Sequence, residues 1–416
     1  MNERRVAITG IGVVSCLGNS LPDMWAALLA GKSGIGRFAG NEPDGSAFSV
    51  GEVRDLTLRD ITPKEERRMA RYVRFAVAAA DEAMQTAGLA RDPEVRGEDP
   101  FRFGALIATS AGGVIDYEQN FEILNRRGPN GVSAFFIPKF MLNGASGTVA
   151  VRYGLRGPNF SPVSACASGS HALGEALWTI RRGEADLMLA GGAEACLTRL
   201  MLSGFQSLTA LSPNPDPEKA CRPFDLNRDG FVLSEGAAVL VLEELGHARK
   251  RGAEILAELA GYGATCDATH ITAPDPEAKG SIRAMRMALE TADCPPEAVG
   301  SISAHGTGTK LNDRCEAKAI RETFGAWTDK IKVSAVKSMI GHALGASGAL
   351  AAAAAVQTLR TGMVPPTINY ETPDPECDLD VTPGQTVRID TEAVMTNSLG
   401  FGGHNAALLF RRSKGG

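Results

Sequence analysis

Three side chains in the 416-residue chain have the types and settings for thiol chemistry. Cys166 stands in SPVSACASGSHALGEAL, where an apolar run ends and a helix begins among Ala165, Ala167 and Gly169. A helix start offers unpaired N–H groups and the positive end of the helix dipole. Both favour the thiolate, so a lowered Cys166 pKa is expected. Small neighbours leave room for an acyl group and leave backbone N–H groups free to form an oxyanion hole. Taken alone, a cysteine is as readily a buried apolar filler. Two of the six histidines shift that balance. His305 ends an apolar run in SISAHGTGTKLND, and His342 lies in VSAVKSMIGHALGASGA. Gly-flanked positions at strand ends are where open α/β sheets place ligands. Each could be a hydrogen-bonded structural histidine; with Cys166 they suggest a Cys/His/His site for covalent catalysis.

Lys337 precedes His342 in the apolar stretch SAVKSM, which favours burial. A buried ammonium needs a carboxylate partner, and Glu316, on the helix that follows His305, is the candidate. In NSLGFGGHNAA, Gly400, Gly402 and Gly403 surround Phe401, a flexible loop with one bulky side chain able to gate a pocket. The eight cysteines show no C-x-x-C and no Cys/His pair at zinc spacing, so no metal is expected. TGIGVVSCLG lacks the downstream acidic ribose partner of a nucleotide site.

These residues need a scaffold of buried strands and helices. RVAITGIGVV, RFGALIAT, NFSPVSA, ADLMLAGGA, GAAVLVLEEL, EILAELAGYGATC, AVGSISAHG, KIKVSAV and NAALLFRR read as strands. Helices are expected over EERRMARYVRFAVAAADEAMQTAG, GHARKRG, SIRAMRMALETA, NDRCEAKAIRETFG and LGASGALAAAAAVQTLRTG. The order is that of an α/β protein with buried sheets. One core rarely exceeds about 250–300 residues, so two similar halves are expected, joined near 250–254, with linker-like loops at 89–100, 211–223 and 365–385. A composition 44% hydrophobic and 22% charged, with net charge -5, suits a soluble enzyme and gives no basic footprint for nucleic acid. Scattered cysteines, the absence of a clean apolar leader and the absence of a long apolar span point to a cytoplasmic protein without membrane association.

SACASG, AHGTGT, KSMIGHALGASG and GFGG, in this order, resemble the condensing enzymes of the thiolase superfamily, and among them the β-ketoacyl-[acyl carrier protein] synthase II group. CRPFDLNRDGFVLSEGAAVLVLEEL, VPPTINYETPDPECDLD and GGAEA support it, and the resemblance runs from residue 4 to residue 412. It implies a five-layered αβαβα fold of two similar halves, placed here at 1–252 and 253–416. It implies decarboxylative condensation with malonyl-acyl carrier protein in fatty acid biosynthesis, with a type II polyketide-like ketosynthase subunit as the alternative. No cofactor is implied beyond substrates carried on the phosphopantetheine of acyl carrier protein. The implied assembly is a homodimer, or a heterodimer with a chain-length partner.

By the same resemblance, Cys166 is the acyl-accepting nucleophile. His305 and His342 act mainly after acylation, Lys337 and Glu316 supply charge behind them, and Phe401 is the gate, its N–H joining that of Cys166 in the oxyanion hole. Thr307 and Thr309 hold the phosphopantetheine arm, and Thr272 of HITAP lies in a related stretch. Ala111, Phe136 and Phe205 belong to pocket walls, and Gly400 and Gly402 flank the gate. Three departures stand out: Ala351 replaces a glutamate of many relatives, His404 replaces the threonine of GFGGTN, and HGTGT replaces HGTST. A degradative thiolase would need a second cysteine near the C-terminal glycine loop, where this chain has His404.

Overall fold

Side chains alternate across a strand, so each strand of a sheet covered on both faces serves two cores. In the computed structural model, which describes residues 4–38, 48–89, 93–94 and 97–413, nine strands form one mixed sheet. They are β1 (Val6–Val14), β2 (Phe103–Ala108), β3 (Leu187–Glu194), β4 (Gly236–Glu244), β5 (Ala257–Cys266), β6 (Val299–Ser303), β7 (Lys332–Ser334), β8 (Ala393–Gly400) and β9 (His404–Arg411). Their spatial order is β7-β6-β8-β9-β5-β1-β4-β3-β2. At its middle, β1 meets β5 through only two residue pairs, Ala7 with Glu258 and Ile8 with Ala257. On either side of this seam the pattern is the same. β2 runs parallel to β3, followed by antiparallel β4 and β1. β6 runs parallel to β8, followed by antiparallel β9 and β5.

Six helices complete the layers: α1 (Arg71–Thr86), α2 (Gly144–Tyr153), α3 (Ser168–Arg181), α4 (Lys279–Ala292), α5 (Lys310–Phe324) and α6 (Ser347–Thr361). Leu173 and Leu177 of α3 and Leu350 and Ala353 of α6 share a core with Leu240 of β4 and Leu408 of β9. Phe75 of α1 and Val149 of α2 pack on Val239 and Val241, the other face of β4. Met285 of α4 and Ile320 of α5 pack on Met395 and Leu409, the outer face of the second sub-sheet. The result is five layers, α-β-α-β-α. A helix between two layers of the sheet has no solvent face, which explains why α6 is buried from Ser347 to Leu359 and is built largely of alanine. Glycine is required where the central turns touch: a Cβ on Gly169 or Gly192 would lie 2.7 or 2.5 Å from the Gly345 carbonyl.

The expected helix over 65–88 is two helices, Pro63–Glu66 behind a Thr62/Glu65 capping box and then α1. The strand expected in NFSPVSA does not form. Asn159 makes a single bridge to Ala105 of β2; Pro158 and Pro162 cannot donate to a ladder, and the chain turns at Ala165, φ 49°. Two of the loops expected as linkers are pinned to the body instead. Cys221 Sγ donates to the Lys337 carbonyl at 2.9 Å, and Asn369 Nδ2 to the Cys221 carbonyl at 3.0 Å. The third, 89–100, lies partly outside the described residues. Among the described residues no helix is long and apolar enough to cross a membrane.

Candidate active site

The two central helices begin close together, each after a short 3₁₀ turn: Ala165–Ala167 before α3 and Leu344–Ala346 before α6. Each turn is entered through a left-handed non-glycine residue, Ala165 at φ 49° and Leu344 at φ 39°. Such conformations cost about 1–3 kcal/mol and persist where the surroundings impose them. They bring Cys166 and the His342 loop face to face. His342 Nε2 is 3.0 Å from Cys166 Sγ, and its Nδ1 is 2.8 Å from Ser347 Oγ in the first turn of α6. His305, just past β6, presents its ring 5.3 Å from that of His342 at 87°. The sulfur and one nitrogen from each histidine lie within 4.8 Å of one another, a donor set that could hold a soft divalent ion.

Lys337 is buried behind His305. Its Nζ donates to the His305 carbonyl at 2.6 Å and sits 3.3 Å from Nδ1. An ammonium can only donate, so Nδ1 accepts and the ring proton resides on Nε2. Glu316 of α5 accepts the N–H groups of His305 and Gly306 at 2.7 and 2.8 Å and the Asn397 amide at 3.2 Å. It therefore fixes the backbone that carries His305.

Burial pushes the Cys166 thiol up to about 11, against the pull of the Lys337 charge and of the N–H groups of Phe401 and Cys166 itself. The expected lowered pKa is thus overturned: removal from water outweighs the helix start. Burial, helped by Lys337, holds His305 and His342 well below the usual histidine range. Lys337 is itself pushed down to about 8 by burial, with the Glu316 charge opposing. The resting pair is a neutral thiol against a neutral imidazole.

The glycine loop around Phe401 fits closely. A Cβ on Gly400 would lie 2.7 Å from the Ser164 carbonyl and 3.2 Å from the Cys166 nitrogen, so only glycine lets the loop reach the nucleophile. Gly402 N–H donates to the Ile271 carbonyl at 2.6 Å, and Asp267 N–H to the Gly403 carbonyl at 2.8 Å. A cavity of 510 Å³ opens on Cys166, His305, His342 and Phe401. Ala111, Phe205, Phe231 and Leu344 surround Cys166 with apolar groups. Thr272, Thr307, Thr309 and Gly400 also line it, with the Thr307 and Thr309 hydroxyls 3.0 Å apart. Lys337, Glu316 and Gly402 are not on its wall. Nor is Phe136, which packs 6.4 Å from Tyr117 and 5.7 Å from Phe140. Ala351 is buried within α6 and brings no carboxylate.

Among the residues not legible as part of this site is one acid that braces it. Glu194, at the end of β3, accepts Thr109 Oγ1 at 2.8 Å and the N–H groups of Ser110, Ala111 and Gly345 at 2.8, 3.0 and 2.9 Å. It ties the end of β2, where Ala111 follows, to the turn before α6. Its signal is a single acid in an otherwise apolar strand, LMLAGGAE.

A thiol beside an imidazole base and a second imidazole, at the centre of five layers with two like halves, defines a cysteine-dependent condensing acyltransferase of thiolase-like fold. A model of the beta-ketoacyl synthase N-terminal domain matches residues 3–248, and one of the C-terminal domain matches 256–371. The chain belongs to the β-ketoacyl synthase family. Over 99% of both chains it is 46% identical to the 3-oxoacyl-[acyl-carrier-protein] synthase 2 of Coxiella burnetii and 44% identical to that of Staphylococcus aureus. A β-ketoacyl synthase structure from Burkholderia phymatum superposes with a TM-score of 0.89 at 36% identity, covering 99% of this chain and all of that one. A type II polyketide ketosynthase, solved with its acyl carrier protein and bound to the hexaketide, superposes with a TM-score of 0.92 at 36% identity over the same shares.

Proposed function

We propose that the protein condenses a Cys166-bound acyl group with malonyl-acyl carrier protein, with loss of CO₂, lengthening fatty acyl chains by two carbons. The observation that carries this is the approach of Cys166 Sγ to His342 Nε2 at 3.0 Å, with His305 beside them. In the first half-reaction the thiol attacks the acyl thioester. His342 takes the proton on Nε2 and returns it to the departing pantetheine sulfur. In the second, the malonyl group loses CO₂ and leaves an enolate whose oxygen needs donors. His305 supplies Nε2–H, the tautomer that Lys337 imposes. His342 supplies a second donor because Ser347 Oγ can either accept from Nδ1 or donate to it, allowing the proton to sit on Nδ1 at rest and on Nε2 here. The enolate carbon attacks the acyl carbonyl, whose oxygen lies between the N–H groups of Cys166 and Phe401. Collapse releases the Cys166 thiolate, which regains a proton from water.

Thr272, Thr307 and Thr309 are proposed to hold the pantetheine arm, with Ala111, Phe205 and the flanking Gly400 bordering the acyl path. The substrates come on acyl carrier protein, with no further cofactor, in the cytoplasm. The half boundary at 252/253 falls between the two family matches. Tyr117, Phe121, Ile137 and Phe140 are large apolar side chains left exposed on neighbouring segments. Such a patch marks a protein interface, here between two copies of the chain, with Phe136 packed beside it. The polyketide reading is favoured by HGTGT and by the second structural relative, with a chain-length partner in place of the second copy. Mass spectrometry of the acyl group trapped on Cys166 tests both: a saturated fatty acyl thioester supports the first, a polyketide the second. Acylation persisting in Cys166→Ala refutes the site.

A further inference from the structure

His404 is the departure in the gate motif, and the reaction as derived above gives it no task. It opens β9, opposite Gly400 of β8 and Cys266 of β5. Its ring lies on the gate loop: a Cβ on Gly402 would stand 2.9 Å from His404 Nε2. Behind it, the His171 ring of α3 meets it edge-on, centroids 6.3 Å apart at 90°. His171 is fixed in turn. Its other neighbour is the Tyr262 ring at 6.2 Å, and its Nδ1 is 2.5 Å from Ser164 Oγ. Ser164 begins the nucleophile turn: its N–H donates to Ser168 Oγ, and its carbonyl is the group against which Gly400 packs. The side chains form a closed path, Ser164–His171–His404–Gly402, from the nucleophile turn to the gate and back through Gly400. Burial pushes His171 down to about 4, so the ring contact is not opposed by a charge on His171 near neutral pH.

We infer that His404 is a positioning residue for the gate: its ring is the stop on which Gly402 rests when Phe401 is seated over Cys166, and His171 anchors that stop to the nucleophile turn. The inference rests on the two-step reaction proposed above. Acyl transfer needs the loop lifted so that a chain can pass Phe401. Both steps then need it seated, because each puts an oxyanion on the acyl oxygen that the Phe401 N–H meets, but only in acyl transfer is a looser seat offset by easier passage. Removing the stop therefore separates the two half-reactions rather than weakening both. A residue serving only packing would not do this.

The test uses full-length protein with His404→Ala, His404→Thr and His404→Phe, each first checked for an unchanged melting transition. Acyl transfer to Cys166 and condensation of the preformed acyl-enzyme are timed separately. Alkylation of Cys166 by iodoacetamide is followed peptide by peptide, which keeps the exposed Cys266 apart. In Ala and Thr variants Cys166 alkylation should rise, acyl transfer should hold or rise, and condensation should fall about tenfold, the scale of one oxyanion donor losing part of its alignment. His404→Phe, which keeps a ring, should recover most of the loss. Equal slowing of both half-reactions, unchanged alkylation, or a Phe variant as impaired as Ala overturns the inference. A wild-type enzyme that accepts no acyl group refutes the proposed reaction instead, and the alkylation series still decides the gate.

Discussion

Ala111→Phe should shorten the chains that the enzyme makes. The backbone at this position is held: the N–H groups of Ser110 and Ala111 both donate to the buried Glu194 carboxylate. A larger side chain cannot swing away and must enter the apolar cluster of Phe205, Leu344 and Cys166. A buried methylene is worth about 0.8 kcal/mol. If the new ring displaces two methylenes from the far end of an acyl chain, the loss is about 1.6 kcal/mol, or about 15-fold in kcat/KM for chains long enough to reach it. Chains that stop short lose nothing. Ala111→Ile, displacing one methylene, should cost about fourfold. The assay is kcat/KM across a series of acyl-carrier-protein substrates, with the product chain-length profile alongside. Wild type and Ala111→Phe giving the same profile would show that the Ala111 side chain does not border the acyl path. A uniform loss at every length would mean that the ring disturbs Cys166 instead.

Four further outcomes are expected. His305→Ala should still take the acyl group but lose malonyl decarboxylation by about 10²–10⁴-fold, the scale of a removed donor or acid–base group; stopped-flow separation of the half-reactions shows it. His342→Ala should slow both steps, because its Nε2 faces the thiol at 3.0 Å; intact acyl transfer in this variant would contradict the proton route. Condensation should decline as pH rises through about 8, where Lys337 loses its charge, while acyl transfer rises toward the thiol pKa of about 11. The lowered Lys337 pKa favours the neutral folded form, so this group by itself adds stability as pH rises above 8, and a melting curve across that range tests whether unfolding is the cause. Glu194→Gln should lower stability by about 1–3 kcal/mol, since an amide nitrogen must meet N–H donors that the carboxylate had satisfied; denaturant unfolding measures it.

Much of this site could be read from local chemistry. Cys166, His305 and His342 each end an apolar run among small residues, and that setting is visible in one line of sequence. Lys337 was legible as buried because SAVKSM offers no other polar side chain but serine. What escaped depended on partners distant in sequence. β8 was not anticipated because Thr396, Asn397 and Ser398 interrupt its apolar pattern. In the fold the interruption is the point: Asn397 reaches Glu316 on one face of the sheet and Ser398 reaches Ser170 of α3 on the other. The strand that leads into the Phe401 loop is thereby fastened to the helix behind His305 and to the helix that follows Cys166. The thiol pKa failed for a related reason. A helix start is local and predicts a thiolate, whereas burial is a property of the whole layer stack and raises the pKa. Removal from water dominates, and the chemistry changes with it: a thiol near 11 cannot wait as an anion, so the attack needs a base within reach. Desolvation thus makes His342 a partner in the first step as well as the second.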